Sequence, residues 1–305
     1  MEFRSMNRRD FLQTTAFAAL SAVFAGSARD PFAALALAAE EPAPLDPNLV
    51  AIFSDIHVRE PESSQQSSRF IKSVAQILAM NPRPATLLIY GDVAYDAGKP
   101  EDYKIFRRMV EPLEKAGIRW EVAMGNHDRL ENYRAVFPER FEKAPILENR
   151  HINIVETPRA DFILLDSYLK GEVRGEIDPA QREWLAETLK KYVDKPVFVG
   201  CHHPLSETLL TETLLACPKF SGYLFGHWHW WTIATRENVP TVCFPSIGHW
   251  GDMGFVTLNL TEKNAIFTPT IDAYLLPDWH DRKPVEDVPA YLATLNAKIA
   301  TLPLR

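Results

Sequence analysis

The chain is predicted to be an α/β protein built on two stacked sheets flanked by helices. Three observations point there: short apolar runs alternate with helical segments, the runs end in polar residues, and short strands dominate from Tyr223 onward. Leu49 to Phe53 is the first buried strand, and Arg69 to Met80 the first helical segment. Thr86 to Tyr90 and Trp120 to Met124 are the next strands, separated by a helix over Glu101 to Ala116 whose basic end complements the helix dipole. A helix over Pro179 to Tyr192 leads into strands at Val197 to Val199 and Phe220 to Phe225. Val256-Thr257-Leu258 lies in a later strand, and Val288 to Leu302 is read as a packing helix in a tail that matches no known pattern from Thr268 on.

Five of these strands run into clusters rich in His, Asp or Asn: Asp55-Ile56-His57, Gly91-Asp92, Gly125-Asn126-His127-Asp128, His202-His203-Pro204 and Gly226-His227-Trp228-His229. They hold six of the nine histidines. A lone Gly-Asp is usually a turn and a lone His usually a core or loop residue. Five polar clusters at the C-terminal ends of strands, where open α/β sheets place ligands, are hard to obtain by chance. Oxygen and imidazole donors without thiolate suit two divalent ions rather than a structural zinc.

This set, in this order, resembles the calcineurin-like metallophosphoesterase superfamily, and within it the class III cyclic nucleotide phosphodiesterases, over about Leu49 to Leu260. The resemblance implies a four-layer α/β/β/α sandwich. It also implies that Asp55, His57, Asp92 and His229 surround one metal and Asp92, Asn126, His202 and His227 a second, with Asp92 bridging. His127 becomes the catalytic histidine that binds no metal, and Asp128 its orienting partner. Two divalent ions would bring four positive charges against two from Asp55 and Asp92, leaving room for hydroxide and a phosphate ester. Paired ions acidify water and clamp phosphoryl oxygens, so in-line attack by hydroxide is the expected chemistry, with His127 serving the leaving oxygen. Mn, Fe and Zn all suit these donors.

Some motif residues carry two readings. His202 and His203 are adjacent and point to opposite sides of a strand end, so only one can easily be the ligand; the resemblance, in which the first histidine before the x-Pro step is the ligand, implies His202 and leaves His203 to packing or hydrogen bonding. Asp92-x-x-Tyr95 has the spacing of a tyrosinate site, but His57 fills that position and Tyr95 is read as loop wall. Trp228, His249 and Trp250 are candidates for stacking on substrate, against the alternative that alternation along a strand starting near Trp230 puts one indole in the core anyway.

Composition bounds the function. Apolar residues make up 46% of the chain, with 17 Phe and 7 Trp, ample for a large core. A net charge of −7 without a basic run after the N-terminus excludes long nucleic acids as expected partners and leaves small phosphate esters. Cys201, Cys217 and Cys243 show no Cys-x-x-Cys spacing. Asn7 to Gln13 resembles a twin-arginine export motif, with Arg8-Arg9 followed by Phe11-Leu12 and an alanine-rich stretch. The expected organisation is a signal peptide over 1–38, with Gly26-Ser27-Ala28 an alternative cut, and a lead-in over 39–48. The metallophosphoesterase domain then spans 49–265 and an extension 266–305. The twin-arginine translocase would be a partner, the location periplasmic, and no membrane span is expected in the mature form. The leading function is hydrolysis of phosphodiesters, either cyclic nucleotides or glycerophosphodiesters. The alternatives are a phosphomonoesterase on the same site and a non-enzymatic scaffold, which the full ligand set argues against.

Overall fold

The apolar run before Asp55 forms β1 (Leu45–Phe53), and its alternation sets the layering. In the computed structural model, which describes residue 35 and residues 38–305, Val50 and Ile52 enter one core while Ala51 and Phe53 enter another, as a two-residue period requires. β2 (Arg83–Tyr90) repeats this, with Leu88 and Tyr90 facing one way and Leu87 and Ile89 the other. β1, β2 and β3 (Arg119–Ala123) pair in parallel. The crossovers are α1 (Gln65–Leu78), whose Ser64 cap accepts from the Ser67 amide, and α2 (Pro100–Lys115), which opens on Pro100 with Glu101 and Asp102 in its first turn. Phe70, Val74, Phe106 and Met109 from these helices, and Tyr133 from α3 (Leu130–Val136), cover the outer face of that sheet.

The second sheet has the order β4-β5-β6-β7-β9-β8, from β4 (Asn153–Glu156), β5 (Asp161–Leu164), β6 (Val197–Gly200), β7 (Phe220–Phe225), β8 (Thr232–Arg236) and β9 (Val239–Cys243). Phe198 and Leu224 face the first sheet, while Val197, Val199 and Tyr223 face outward. Outside them lie α4 (Pro179–Leu189), capped by Asp178, and α5 (Thr211–Leu215). The layers are helices, sheet, sheet, helices, as expected.

The C-terminal segment departs from expectation. β10 (Gly251–Leu260), β11 (Asn264–Leu275) and β12 (Ala300–Pro303) complete the first sheet in the order β12-β11-β10-β1-β2-β3. Residues 266–305 are therefore not an appendage, because β11 pairs with β10 along nearly its whole length and Phe267, Ile271 and Leu302 sit in the inter-sheet core. The expected helix over Val288 to Leu302 is shorter: α6 (Val288–Ala297) ends before β12. The lead-in also shortens, since β1 starts at Leu45. Trp230 and Trp231 are both buried, where the strand reading placed one indole inside.

The twin-arginine motif lies outside the described residues. Leu35 and Ala39 are buried against the α1 and α2 layer, and Arg83 donates to the Ala38 carbonyl. A cut before Ala39 would remove a buried side chain, whereas the alternative cut at Ala28 would keep it. Among the described residues no helix is long and apolar enough to cross a membrane.

Candidate metal centre

The C-terminal ends of β1, β2 and β3 in one sheet and of β6 and β7 in the other converge, and each delivers one of the five motifs. Asp55, His57, Asp92, His227 and His229 all have φ between 50° and 63°, and they are five of the nine non-glycine residues in the left-handed region among the described residues. Such backbone costs about 1–3 kcal/mol per residue and persists where the surroundings over-determine it. Here the surroundings include motif-to-motif ties: the amides of Asp55 and His57 donate to the carbonyls of Gly91 and Asp92, and Gly226 donates to His202.

Two glycines of the motifs are spaces rather than hinges. A Cβ at Gly125 would lie 2.2 Å from Asp92 Oδ1 and 2.5 Å from the Asp92 backbone nitrogen. At Gly226 it would lie 1.9 Å from Ser54 Oγ and 2.7 Å from Asp55 Oδ2.

The imidazoles share one device. Nδ1 of His57, His127, His202 and His229 approaches the carbonyl oxygens of Tyr95, Asp96, Tyr90 and Trp250 at 3.1, 2.9, 2.7 and 3.1 Å respectively. A carbonyl only accepts, so each Nδ1 carries a proton and each Nε2 is the ring nitrogen left for the centre. His202 Nε2 lies 3.1 Å from Asp92 Oδ2, and His229 Nε2 lies 3.0 Å from Asp55 Oδ1. The carboxylates are held from behind. Asp55 Oδ2 accepts from Ser54 Oγ (2.6 Å) and the His227 amide (3.1 Å), and Asp92 Oδ1 accepts from the His127 amide (2.9 Å).

What faces inward lacks partners. Asp55 Oδ1, His57 Nε2, Asn126 Oδ1 and His202 Nε2 are buried with no hydrogen bond, each a costly state in an apolar interior. The ligand atoms of Asp55, His57 and His229 lie within 4.8 Å of one another, as do those of His57, Asp92 and His127 and those of Asp55, Asp92 and His202. Orphaned oxygen and imidazole donors at that spacing fit divalent cations.

Electrostatics agree. Burial alone would raise both carboxyls, but the imidazoles of His229 and His202 override it and hold Asp55 and Asp92 below the usual carboxylate range. Burial alone would lower His202, yet Asp92 and Asp55 push it up to about 10. Burial lowers His57 to about 3 and His227 to about 4, so both stand neutral and ready to coordinate.

Most of the expected site residues gather here, with three qualifications. Asp128 is buried and close by, but it does not orient His127. Its carboxylate accepts from the Val93, Ala94 and Gly125 amides and the Tyr103 hydroxyl, while the carbonyl of Asp96 holds the His127 ring. Asp128 braces the loops, and adjacency in sequence misled because the two side chains diverge. His203 has both ring nitrogens engaged, with Ser167 Oγ at 2.7 Å and the Val173 carbonyl at 3.0 Å, whereas His202 Nε2 has no hydrogen bond. Tyr95 presents its carbonyl to His57 and stacks its ring under the Arg59 guanidinium at 4.1 Å, in the loop wall.

Of the aromatic candidates, His249 lies 4.6 Å from the His57 ring and Trp250 lies 4.2 Å from the His229 ring, so the Gly248–Gly251 turn covers one side of the cluster. Trp228 is 38% exposed and packs on Phe225. Sequence reasoning missed Trp279, which touches Trp250 at 5.2 Å and is 70% exposed. Its signal was an isolated tryptophan in a loop of Pro, Asp and His. The three cysteines are free and buried, and burial pushes the Cys201 thiol up to about 11, consistent with packing rather than redox chemistry.

Two stacked sheets whose strand ends gather buried carboxylates, an asparagine and inward-turned imidazoles form a centre whose donors could hold divalent metal ions. The chain belongs to the calcineurin-like phosphoesterase family, whose model matches residues 49–231. It is 34% identical over 134 residues to a probable glycerophosphodiester phosphodiesterase, GpdQ, of Arcobacter nitrofigilis, covering 43% of this chain and 46% of that protein. It is 28% identical over 172 residues to the 3′,5′-cyclic adenosine monophosphate phosphodiesterase CpdA of Pseudomonas aeruginosa, covering 52% and 59%. The chain thus spans about half the length of the curated relatives it matches. A dimetal phosphatase from Danio rerio shares the fold, with a TM-score of 0.57 and 12% identity over 73% of this chain and 96% of that one.

Proposed function

We propose that the protein hydrolyses phosphodiesters at this centre, with cyclic nucleotides and glycerophosphodiesters as the candidate classes. The observation that carries the reading is the set of orphaned donors: Asp55 Oδ1, His57 Nε2, Asn126 Oδ1 and His202 Nε2. Asp55, His57, His229 and Asp92 would hold one cation, and Asp92, Asn126, His202 and His227 the other. When bound, two such ions supply Lewis acidity and a hydroxide nucleophile at neutral pH.

The chain's own residues do the rest. The carbonyls of Tyr90, Tyr95 and Trp250 fix three ligand imidazoles in one tautomer, so no reorganisation is needed when charge develops on phosphate. His127 Nε2 stands 4.0 Å from Asp92 Oδ2, and its side chain is 31% exposed at the mouth of the site. Its Nδ1–H is anchored on Asp96, so a proton on Nε2 is aimed at an oxygen leaving the phosphorus. Alkyl esters need that proton most, because an alkoxide is a poor leaving group. The relatives named for diester substrates point toward diesters. Mn, Fe and Zn are all compatible with the donors.

The test is turnover of metal-reconstituted protein on a panel of 3′,5′-cyclic nucleotides, glycerophosphodiesters and phosphomonoesters. Diester kcat/KM above monoester kcat/KM supports the reading. A monoester preference assigns the phosphatase alternative.

A further inference from the structure

A wall of rings extends from the metal centre into the segment beyond the family match. His229 is followed by Trp250 at 4.2 Å, and Trp250 by Trp279 at 5.2 Å with an interplanar angle of 83°. The two ring contacts, 4.2 and 5.2 Å, place the Trp279 ring no more than 9.4 Å from that of His229. His280 closes the cluster, 5.2 Å from Trp250 and 5.6 Å from Trp230, and the Arg282 guanidinium covers the Trp230 face at 3.9 Å. Trp230 is 4% exposed and Trp279 70%. The wall is therefore buried at its base and ends in one indole set perpendicular to Trp250, with most of its area turned to water.

Water is a poor neighbour for an indole face, and this one stands beside a centre built for phosphate. A planar base joined to a phosphate through a ribose would span that separation. A glycerol or ethanolamine group offers no π surface to stack. Base stacking on an aromatic side chain is tolerant of sequence and is typically worth enough to shift affinity about 5- to 100-fold when the ring is removed.

We propose that Trp279, braced by Trp250 and His280, is the stacking platform for the nucleobase of a nucleotide substrate and directs the enzyme toward nucleotide diesters over glycerophosphodiesters. This rests on the phosphodiesterase reading above. The residue lies between β11 and α6, so the C-terminal segment supplies specificity to a centre built by the preceding chain.

The test uses full-length metal-loaded protein and calorimetric titration with adenosine 5′-monophosphate and glycerol 3-phosphate, alongside kcat/KM for 3′,5′-cyclic AMP and glycerophosphoethanolamine. Trp279→Ala should weaken adenosine monophosphate binding about 5- to 100-fold and lower the cyclic AMP to glycerophosphoethanolamine ratio by a similar factor. Trp279→Phe should recover most of both. Equal nucleotide affinity in the wild type and Trp279→Ala would overturn the platform, as would a parallel loss of both ligands. Wild-type hydrolysis of diesters with nucleotide binding indifferent to Trp279 sinks the platform alone. Trp279-dependent nucleotide binding without hydrolysis of any diester sinks the phosphodiesterase reading and leaves the platform standing.

Discussion

Gly226→Ala probes how tightly the site is built. The new methyl would fall 1.9 Å from Ser54 Oγ, 2.7 Å from Asp55 Oδ2 and 3.0 Å from the Tyr90 carbonyl. Ser54 cannot swing away freely, because it is fully buried and its hydroxyl bonds both Asp55 Oδ2 at 2.6 Å and the Tyr90 carbonyl at 3.0 Å. Overpacking of this kind costs about 1–3 kcal/mol. Displacing the hydroxyl removes a hydrogen bond to a charged group, about 1.5–3 kcal/mol more. Partial relaxation leaves about 2–4 kcal/mol as the expected destabilisation, with loss of the metal proposed at Asp55. Urea unfolding gives the first quantity and elemental analysis the second. Ser54→Gly should rescue the stability lost through the clash, so the double-mutant cycle should show a coupling of about 1–3 kcal/mol. Wild-type stability and metal content in Gly226→Ala, or additive effects in the double variant, would refute the packing argument.

Further outcomes follow from the same geometry. His127→Ala should retain both metals and lose about 10²–10⁴-fold in turnover of alkyl diesters, with a smaller loss for activated aryl esters in a steady-state comparison; equal losses would move His127 from the leaving oxygen to the phosphoryl oxygens. His151 is held neutral: burial, then Arg140 and Arg134, lower it to about 3. A depressed histidine contributes stability that is present above its unfolded value near 6.5 and lost as pH falls toward 3. Wild-type stability should therefore decline more steeply than that of His151→Phe across that window, by up to about 1.4 kcal/mol per pH unit in urea titrations; matching slopes would count against it. Replacing Arg8 and Arg9 by Lys should strand folded, active enzyme in the cytoplasm if the twin-arginine reading holds, and periplasmic recovery of the double-Lys form at wild-type level would contradict it.

Much of the fold was legible because its signals are local. Apolar runs of strand length and polar strand ends can be read in one dimension, and those strands formed where the pattern placed them; the first helix opens at Gln65 behind its Ser64 cap, four residues before the expected Arg69. β12 is only four residues long, too short to show a period, and β11 interrupts its apolar positions with Thr and Pro269. The donor clusters were legible because donor chemistry belongs to residue type. The partners that orient it were not, because Tyr90, Tyr95, Asp96 and Trp250 act through backbone carbonyls that every residue possesses. Asp128 shows the complementary failure, where a neighbour in sequence points to other loops in space. The left-handed backbone at Asp55, His57, Asp92, His227 and His229 is imposed by tertiary contacts and leaves no mark in composition.

The most direct test is metal content of the purified chain and of Asp92→Ala, measured by elemental analysis alongside diester turnover. Asp92 Oδ2 is where His202, His57 and His127 converge at 3.1, 3.8 and 4.0 Å, and among the described residues no other carboxylate shares that contact set. The account predicts two metal ions per wild-type chain, and loss of metal together with activity in the variant. Two bound metals with full turnover in Asp92→Ala would contradict the assignment of this cluster as the catalytic centre.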